Sequence, residues 1–344
     1  MDRNFQILTD STCDLPESWL AERPYITVLD VPVIVTKGDE RHELNNLRPT
    51  DFYQVEKYVE RGFRATTSQP LMYMPDMECL NIPEEGRIIS TEETVRRNVA
   101  KGKDVIYIVM NSSLSSAYSY ATKLFAMLQA ELKASGRTIL CVDSQCMSTG
   151  LAMLMMDVAK GVEDGTLQDV QQIAEFVEKT RGHIAHFFTW EELSYIRKSG
   201  RVKSSEAFFG SILGFRLVCS AQYRGEERDL LHVTPSHTAT IKVRGIGRWA
   251  DVIGMHMKRH MTDTSGPVII AYGNNKESAR KIHNRLLGFL PSAHYLMGEE
   301  WRCGAGIQAH GGPTSIHINY HTDVCGKYDE TVKEIEDIVR SFRW

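Results

Sequence analysis

The chain has 344 residues, of which 42% are hydrophobic and 24% charged, with a formal net charge of -4. This is ordinary composition for a soluble globular protein, with room for two domains and a sizeable core. It excludes a global positive field that would recruit nucleic acid or an anionic membrane, and the longest apolar runs, "VIYIVM" and "LAMLMM" among them, are too short to span a bilayer.

The seven cysteines, Cys13, Cys79, Cys141, Cys146, Cys219, Cys303 and Cys325, are irregularly spaced and form no CxxC pair. They read as free thiols in a reducing compartment, not as a disulfide framework, a thioredoxin-type motif or a zinc site. The first residues lack the basic-then-apolar pattern of a signal peptide. The expected location is therefore the cytoplasm.

In chain order, "FQIL" (Phe5 to Leu8), "VLDVPVIV" (Val28 to Val35), "DVIYIVM" (Asp104 to Met110) and "TILCVD" (Thr138 to Asp143) predict strands covered on both faces. Between the last two, Tyr118, Ala121, Leu124, Phe125, Leu128 and Leu132 follow a helical period that Gly136 can stop. Strand, long helix and strand read as a parallel crossover unit. Two helices follow, "MSTGLAMLMMDVAKG" and "TLQDVQQIAEFVEKTRG", the second with Thr166 as the expected N-cap and Gly182 as its stop.

A domain boundary is placed there, giving an N-terminal parallel-sheet (Rossmann-like) α/β domain over 1–182 and a C-terminal mixed-sheet α/β domain over 183–344. The second domain starts with a strand, "HIAHFFTW", and helical segments "EELSYIRKSG" and "SSEAFFGSILGF". "RLVCSAQYRGEERDLLHVTP" reads as two strands joined by a polar turn, and "TATIKVRGIGRWADVIGMHMKRHM" as a helix. Strand "PVIIAYG", helix "KESARKIHNRLLGFL" and strands "AHYLMG" and "TSIHINYH" come next. A C-terminal amphipathic helix places Val332, Ile335, Ile338, Val339 and Phe342 on one face.

Several polar clusters interrupt this scaffold: "TDST" after the first strand, "RATTSQP", "MNSSLSSAY" and "GAGIQAHGGP". "MNSSLSSAY" joins the end of a parallel strand to a helix N-terminus, where ligands collect in α/β sheets and where free N–H groups favour an anion. Taken alone, a serine there also serves as a plain helix cap, "TTSQP" as a turn, and the glycine-rich "GAGIQAHGGP" as a flexible turn with a structural histidine. The chain contains no GxSxG elbow, GxxxxGK[ST] loop or GxGxxG after the first strand. A serine-dependent hydrolase or phosphoryl-transfer enzyme on a small lipid-like substrate stands as the alternative function, using Ser112 or Ser11 with His310. A metal site on His317 and His321, which share a strand face, is a weaker one.

Together these clusters resemble the DegV family, the bacterial fatty-acid-binding proteins. "TDSTCDLP" is similar to its N-terminal signature and "TTSQP" to a second. "MNSSLSSAY" resembles its Ser-Ser-Gly-Leu-Ser-Gly-Thr-Tyr loop, and "VDSQCMSTG" its Val-Asp-Ser segment. "LSYIRKSGRVKSSEAFFGSILGFRLV" resembles its Lys-Gly-Gly-Arg-Ile region, and "GAGIQAHGGP" its His-Thr-Gly-Pro-Gly loop. The matches run in order from Ile7 to about Tyr320. Departures include Asn111 where the family usually has Ser, and Thr314 in place of the last Gly of the histidine loop.

The resemblance implies two α/β domains holding one long-chain fatty acid, with no other cofactor, no metal and no catalysis. It places the carboxylate among Thr66, Thr67, Ser68, Asn111, Ser112 and Ser115, with His310 and Gly311 approaching from the second domain. It also implies a separate fatty acid kinase as partner, with Arg201 of "SGRV" at the contact.

Overall fold

The computed structural model describes residues 3–44, 52–67, 79–82, 87–88, 90–199, 215–220, 241–324 and 328–342. Its strands are β1 (Phe5–Asp10), β2 (Ile26–Leu29), β3 (Val33–Lys37), β4 (Glu40–Leu44), β5 (Arg64–Thr67), β6 (Cys79–Ile82), β7 (Arg87–Ile88), β8 (Asp104–Val109), β9 (Ile139–Asp143), β10 (Ile184–Thr189), β11 (Phe215–Ser220), β12 (Ile241–Arg244), β13 (Pro267–Tyr272), β14 (His294–Leu296) and β15 (Ile316–His321). Its helices are α1 (Glu17–Ala21), α2 (Phe52–Glu60), α3 (Thr91–Ala100), α4 (Ala117–Glu131), α5 (Ser148–Glu163), α6 (Val170–Thr180), α7 (Ser194–Ser199), α8 (Gly245–His260), α9 (Lys276–Leu287), α10 (Ala305–Gly311) and α11 (Tyr328–Ser341).

The first large sheet has the order β2-β1-β8-β9 and is parallel throughout. The second has the order β12-β11-β10-β15-β13-β14 and is mixed, because only β13 and β14 run parallel. Every strand of the first precedes residue 182 and every strand of the second follows 183.

Apolar side chains on both faces of each sheet set the layers. Leu8, Tyr107 and Val109 pack against Val95 of α3 and Ala121, Phe125 and Leu128 of α4. On the opposite face Ile7, Ile106 and Ile108 meet Leu151, Met155 and Val158 of α5, whose far side reaches Ile184 and Ile269 of the second sheet. Phe187, Ile270, Ile316 and Ile318 then cover the outer helices through Trp249, Ile253, Ile282, Ile335 and Ile338. Helix α5 is buried between two sheets, so it is apolar nearly all round.

Four sequence expectations change locally. "VLDVPVIV" is two strands, not one: β2 belongs to the parallel sheet and β3 to a small antiparallel sheet, β4-β3-β5, with Asp30 and Pro32 at the break. Pro32 has no N–H for a ladder, which favours a break there. The helix expected from "TATIKV" onward begins only at Gly245 (φ 74°), because Ile241 to Arg244 pair with β11 as a strand. Helix α6 is capped by Asp169, whose carboxylate accepts from Gln172 N at 2.8 Å, while Thr166 turns back onto Asp164. "GAGIQAHGGP" is not a flexible turn: its centre is helix α10, stopped at Gly312 (φ 80°).

The second strand of "RLVCSAQYRGEERDLLHVTP" and the helix in "SSEAFFGSILGF" fall outside the described residues. Cys13, Cys141, Cys146, Cys219 and Cys303 are free thiols.

Candidate functional site

A cavity lies where the carboxyl ends of β1 and β8 face β10, β15 and α10. Its walls are mostly apolar: Val31, Met110, Leu114, Met147, Phe188, Trp190, Ile196 and Ile307. The polar groups on them are Asp10, Thr12, Thr67, Ser115, His310 and His317.

The turn "TDST" forms the floor. Asp10 ends β1 in extended geometry and caps a short 3-10 turn, Ser11–Cys13. Its carboxylate accepts from Thr12 N at 3.0 Å, from Thr12 Oγ1, from Tyr107 Oη at 3.1 Å and from Met110 N at 3.5 Å. Burial raises its pKa against the pull of those bonds. Ser11 Oγ accepts from Val31 N at 2.9 Å. These groups are engaged with the protein itself.

Asp14, in left-handed geometry (φ 52°), reaches across to the second sheet's side. It accepts from Ser148 Oγ at 2.5 Å and from Gly304 N at 2.9 Å, the residue that caps α10. Burial is the main cause that lifts its pKa to about 7. Asp14 thereby ties the floor to the helix that carries His310. This tie is invisible in the sequence, because its partners lie 134 and 290 residues away along the chain.

The loop "MNSSLSSAY" is also largely self-contained. Asn111 is fully buried and donates to Gln145 O at 2.9 Å, while its oxygen accepts from Ser113 N and Ser113 Oγ at 2.9 and 2.6 Å. Ser112 N and Oγ both donate to Asp143, at 3.1 and 2.6 Å. Ser115 Oγ accepts from Ala117 N at 3.2 Å, which opens α4 with both residues on the cavity wall.

Strand β5 explains why the two threonines of "RATTSQP" differ. Alternate residues face opposite sides of a strand. Thr66 is exposed, whereas Thr67 lines the cavity with its Oγ1 3.0 Å from His310 Nε2. His310 sits on α10, whose Ala305 and Ala309 pack on Val33 and Val35 of the small sheet, Val55 of α2 and Phe63 just before β5. Gly311 also lines the cavity, and a Cβ there would lie 2.8 Å from Trp190 Nε1, so only glycine admits the indole.

Of the expected residues, the structure gathers Thr67, Ser115, His310 and Gly311 around one space. It turns Thr66 outward and assigns Asn111 and Ser112 to holding the loop. Ser68 and Arg201 lie outside the described residues. His317 and His321 do share a strand face, but His317 meets His186 at 2.9 Å and His321 meets Asp157 at 2.7 Å. Among the described residues no group of three or more His, Cys, Asp or Glu side chains could hold a metal ion.

Sequence reasoning missed the wall built by Phe188, Trp190 and His317. The available signal was the aromatic end of "HIAHFFTW" running into a turn. Two buried polar atoms on that wall, Trp190 Nε1 and His317 Nε2, have no hydrogen-bond partner among the described residues.

A family model described as "Uncharacterised protein, DegV family" matches residues 87–322, more than half of the chain. The chain belongs to the DegV family. A DegV domain-containing protein of Streptococcus pyogenes serotype M3 is 23% identical over 314 residues, covering 91% of this chain and 96% of its own. One from Clostridium perfringens is 28% identical over 222 residues, covering 63% and 68%.

Among solved DegV structures, a lipid binding protein from Thermotoga maritima superposes with a TM-score of 0.68 at 17% identity, covering 93% of this chain and 99% of its own. A family protein from Eubacterium eligens loaded with heptadecanoic acid gives 0.68 at 14% identity, covering 93% and 100%. The Streptococcus pneumoniae fatty acid kinase (Fak) B3 protein loaded with linoleic acid gives 0.67 at 14% identity, covering 93% and 99%. These likenesses concern fold: the chain has the two-domain α/β architecture of the DegV proteins.

Proposed function

We propose that this protein is a cytoplasmic, non-enzymatic carrier of a long-chain fatty acid, without metal or other cofactor. The observation that carries the proposal is a largely apolar cavity whose polar lining converges on the Thr67–His310 pair, joined from opposite halves of the chain. In this reading the carboxylate accepts from Thr67, His310, Trp190 Nε1 and Ser115 at the start of α4, where the helix dipole favours an anion. Ser68 belongs to the same site, and Asn111, Ser112 and Gly311 shape it. The acyl chain packs against Met110, Leu114, Met147, Phe188 and Ile307. At about 0.8 kcal/mol per buried CH₂ the chain supplies most of the affinity, and the polar end fixes orientation.

The neighbours described as loaded with fatty acids, one of them named for a fatty acid kinase, support this ligand class and a kinase partner; Arg201 as the point of contact with that partner belongs to the proposal. The division into units 1–182 and 183–344 belongs to the same proposal. A hydrolase has less support, since Ser112 gives its proton to the Asp143 carboxylate and His310 Nε2 is occupied by Thr67. No described helix is long and apolar enough to cross a membrane.

Mass spectrometry of the purified protein after denaturation tests the proposal. A co-purified fatty acid, or saturable binding of added palmitic acid, is the expected result. Folded protein with neither overturns it.

A further inference from the structure

The cavity has a second polar point that the carboxylate site does not use. His317 on β15 and His186 on β10 are diagonal neighbours on one sheet face, with His186 Nε2 and His317 Nδ1 2.9 Å apart. Both rings are buried, at 1% and 2% exposure. The far end of the pair is sealed by α5: a Cβ at Gly150 would lie 2.8 Å from His186 Nδ1, so glycine alone lets the helix come that close. The near end is different. The His317 ring lines the cavity and stacks on Phe188, with centroids 5.6 Å apart and planes at 16°. Its Nε2, on the ring side turned away from His186, has no partner among the described residues; His186 Nδ1 has none either, but lies at the sealed end.

Burial holds both imidazoles in the neutral form, His317 down to about 3 and His186 well below its ordinary value. A neutral pair does not attract a carboxylate; it meets a neutral group. The shared bond also fixes what His317 Nε2 offers. If His186 Nε2–H donates, His317 Nε2 carries a proton and donates in turn; if His317 Nδ1–H donates, Nε2 is an acceptor. A hydroxyl, donor and acceptor at once, satisfies either tautomer, whereas a methylene satisfies neither. An unmade bond at a buried polar atom costs affinity that a matching group recovers.

We infer that the acyl chain this protein selects carries an in-chain hydroxyl, met by His317 Nε2 within the cavity. The inference rests on the carrier reading and narrows it from fatty acids in general to hydroxy fatty acids.

Competition binding on the delipidated full chain tests it, with palmitic acid set against a series of hydroxypalmitic acids differing in hydroxyl position. One positional isomer is expected to bind about tenfold tighter than palmitic acid, which corresponds to about 1.4 kcal/mol. His317→Phe should bring that ratio to about one by weakening the hydroxylated acid, His317→Gln should retain part of it, and Thr67→Val should weaken both acids together. A flat series in the wild type, as expected if a water meets Nε2, overturns the inference and leaves the carrier reading standing. A preference that survives His317→Phe also overturns it. Binding of none of these acids sinks the carrier reading and the inference with it. If the His317 variants do not fold, the wild-type series alone decides.

Discussion

The two walls of the cavity treat their polar groups in opposite ways. On the wall built from the first sheet, Asp10, Thr12 and Ser115 are bound to neighbouring backbone and side chains, and Asn111 and Ser112 behind it are bound likewise. On the wall built from the second sheet, Trp190 Nε1 and His317 Nε2 are buried and unmatched among the described residues. The wall richest in hydroxyls is thus mostly architecture, and the aromatic wall holds the polar atoms left unmatched. A cluster of serines and threonines announces a well-bonded loop as readily as a binding site; the satisfied or unsatisfied state of each atom separates the two.

If this contrast is right, changes on the first wall act on stability and changes on the second act on binding. The largest effect is expected at Asp14, where a bonded carboxylate is held in a dry site. Its folded pKa of about 7 lies above the ordinary 3.8, so between those values the folded chain binds more protons than the unfolded one. Its contribution to stability is therefore full below about pH 4 and falls as pH rises to about 7, by at most about 4 kcal/mol. Urea unfolding from pH 4 to 8 should show this loss, and Asp14→Asn should flatten it apart from the same-signed share of Asp10. An unchanged slope in that variant would remove Asp14 from the account.

Next in size is Asp10→Ala, which strands the Thr12 amide and the buried Tyr107 hydroxyl, and should lower stability by about 3 kcal/mol in the same assay. A change below 0.5 kcal/mol would contradict the picture of a bonded floor.

The smallest effect marks the open wall. Trp190→Phe deletes a buried N–H that has no described partner, so the ligand-free protein should unfold within about 0.5 kcal/mol of wild type or slightly later. Palmitic acid should then bind about fivefold more weakly, read by isothermal titration calorimetry. Loss of stability with unchanged affinity would reverse the two walls.

Much of the scaffold was legible. The runs "DVIYIVM" and "TILCVD" are apolar because both sheet faces are covered, and the helix between them keeps its period from Ala117 to Leu128. The break in "VLDVPVIV" was less so: β-branched residues suit either sheet, and only the pairing of Val33 with Thr67 and Leu44 reveals a second one. In "GAGIQAHGGP", glycine content hid a helix stabilised by packing of Ala305 and Ala309, not by propensity.

At the cavity, the motifs pointed to loops that line it but not to which of their atoms face it. Thr66 and Thr67 are neighbours of one type whose directions are decided by the register of β5. His317 was conspicuous as a histidine, yet its role depends on His186, 131 residues away.

The seating of α10 on the small sheet bears on the order of assembly. Thr67 and His310 are 243 residues apart in sequence, and Val33, Val35, Ala305 and Ala309 form a cluster separate from the large cores. Contacts of such separation close late, after more local units have formed. A ribosome-bound chain therefore completes both sides of the Thr67–His310 clasp only after α10 has emerged, and on the carrier reading proposed above the ligand would be acquired after synthesis and not during it. On the same reading, local opening of this small cluster would give the finished protein a route for exchange that leaves its two main cores folded.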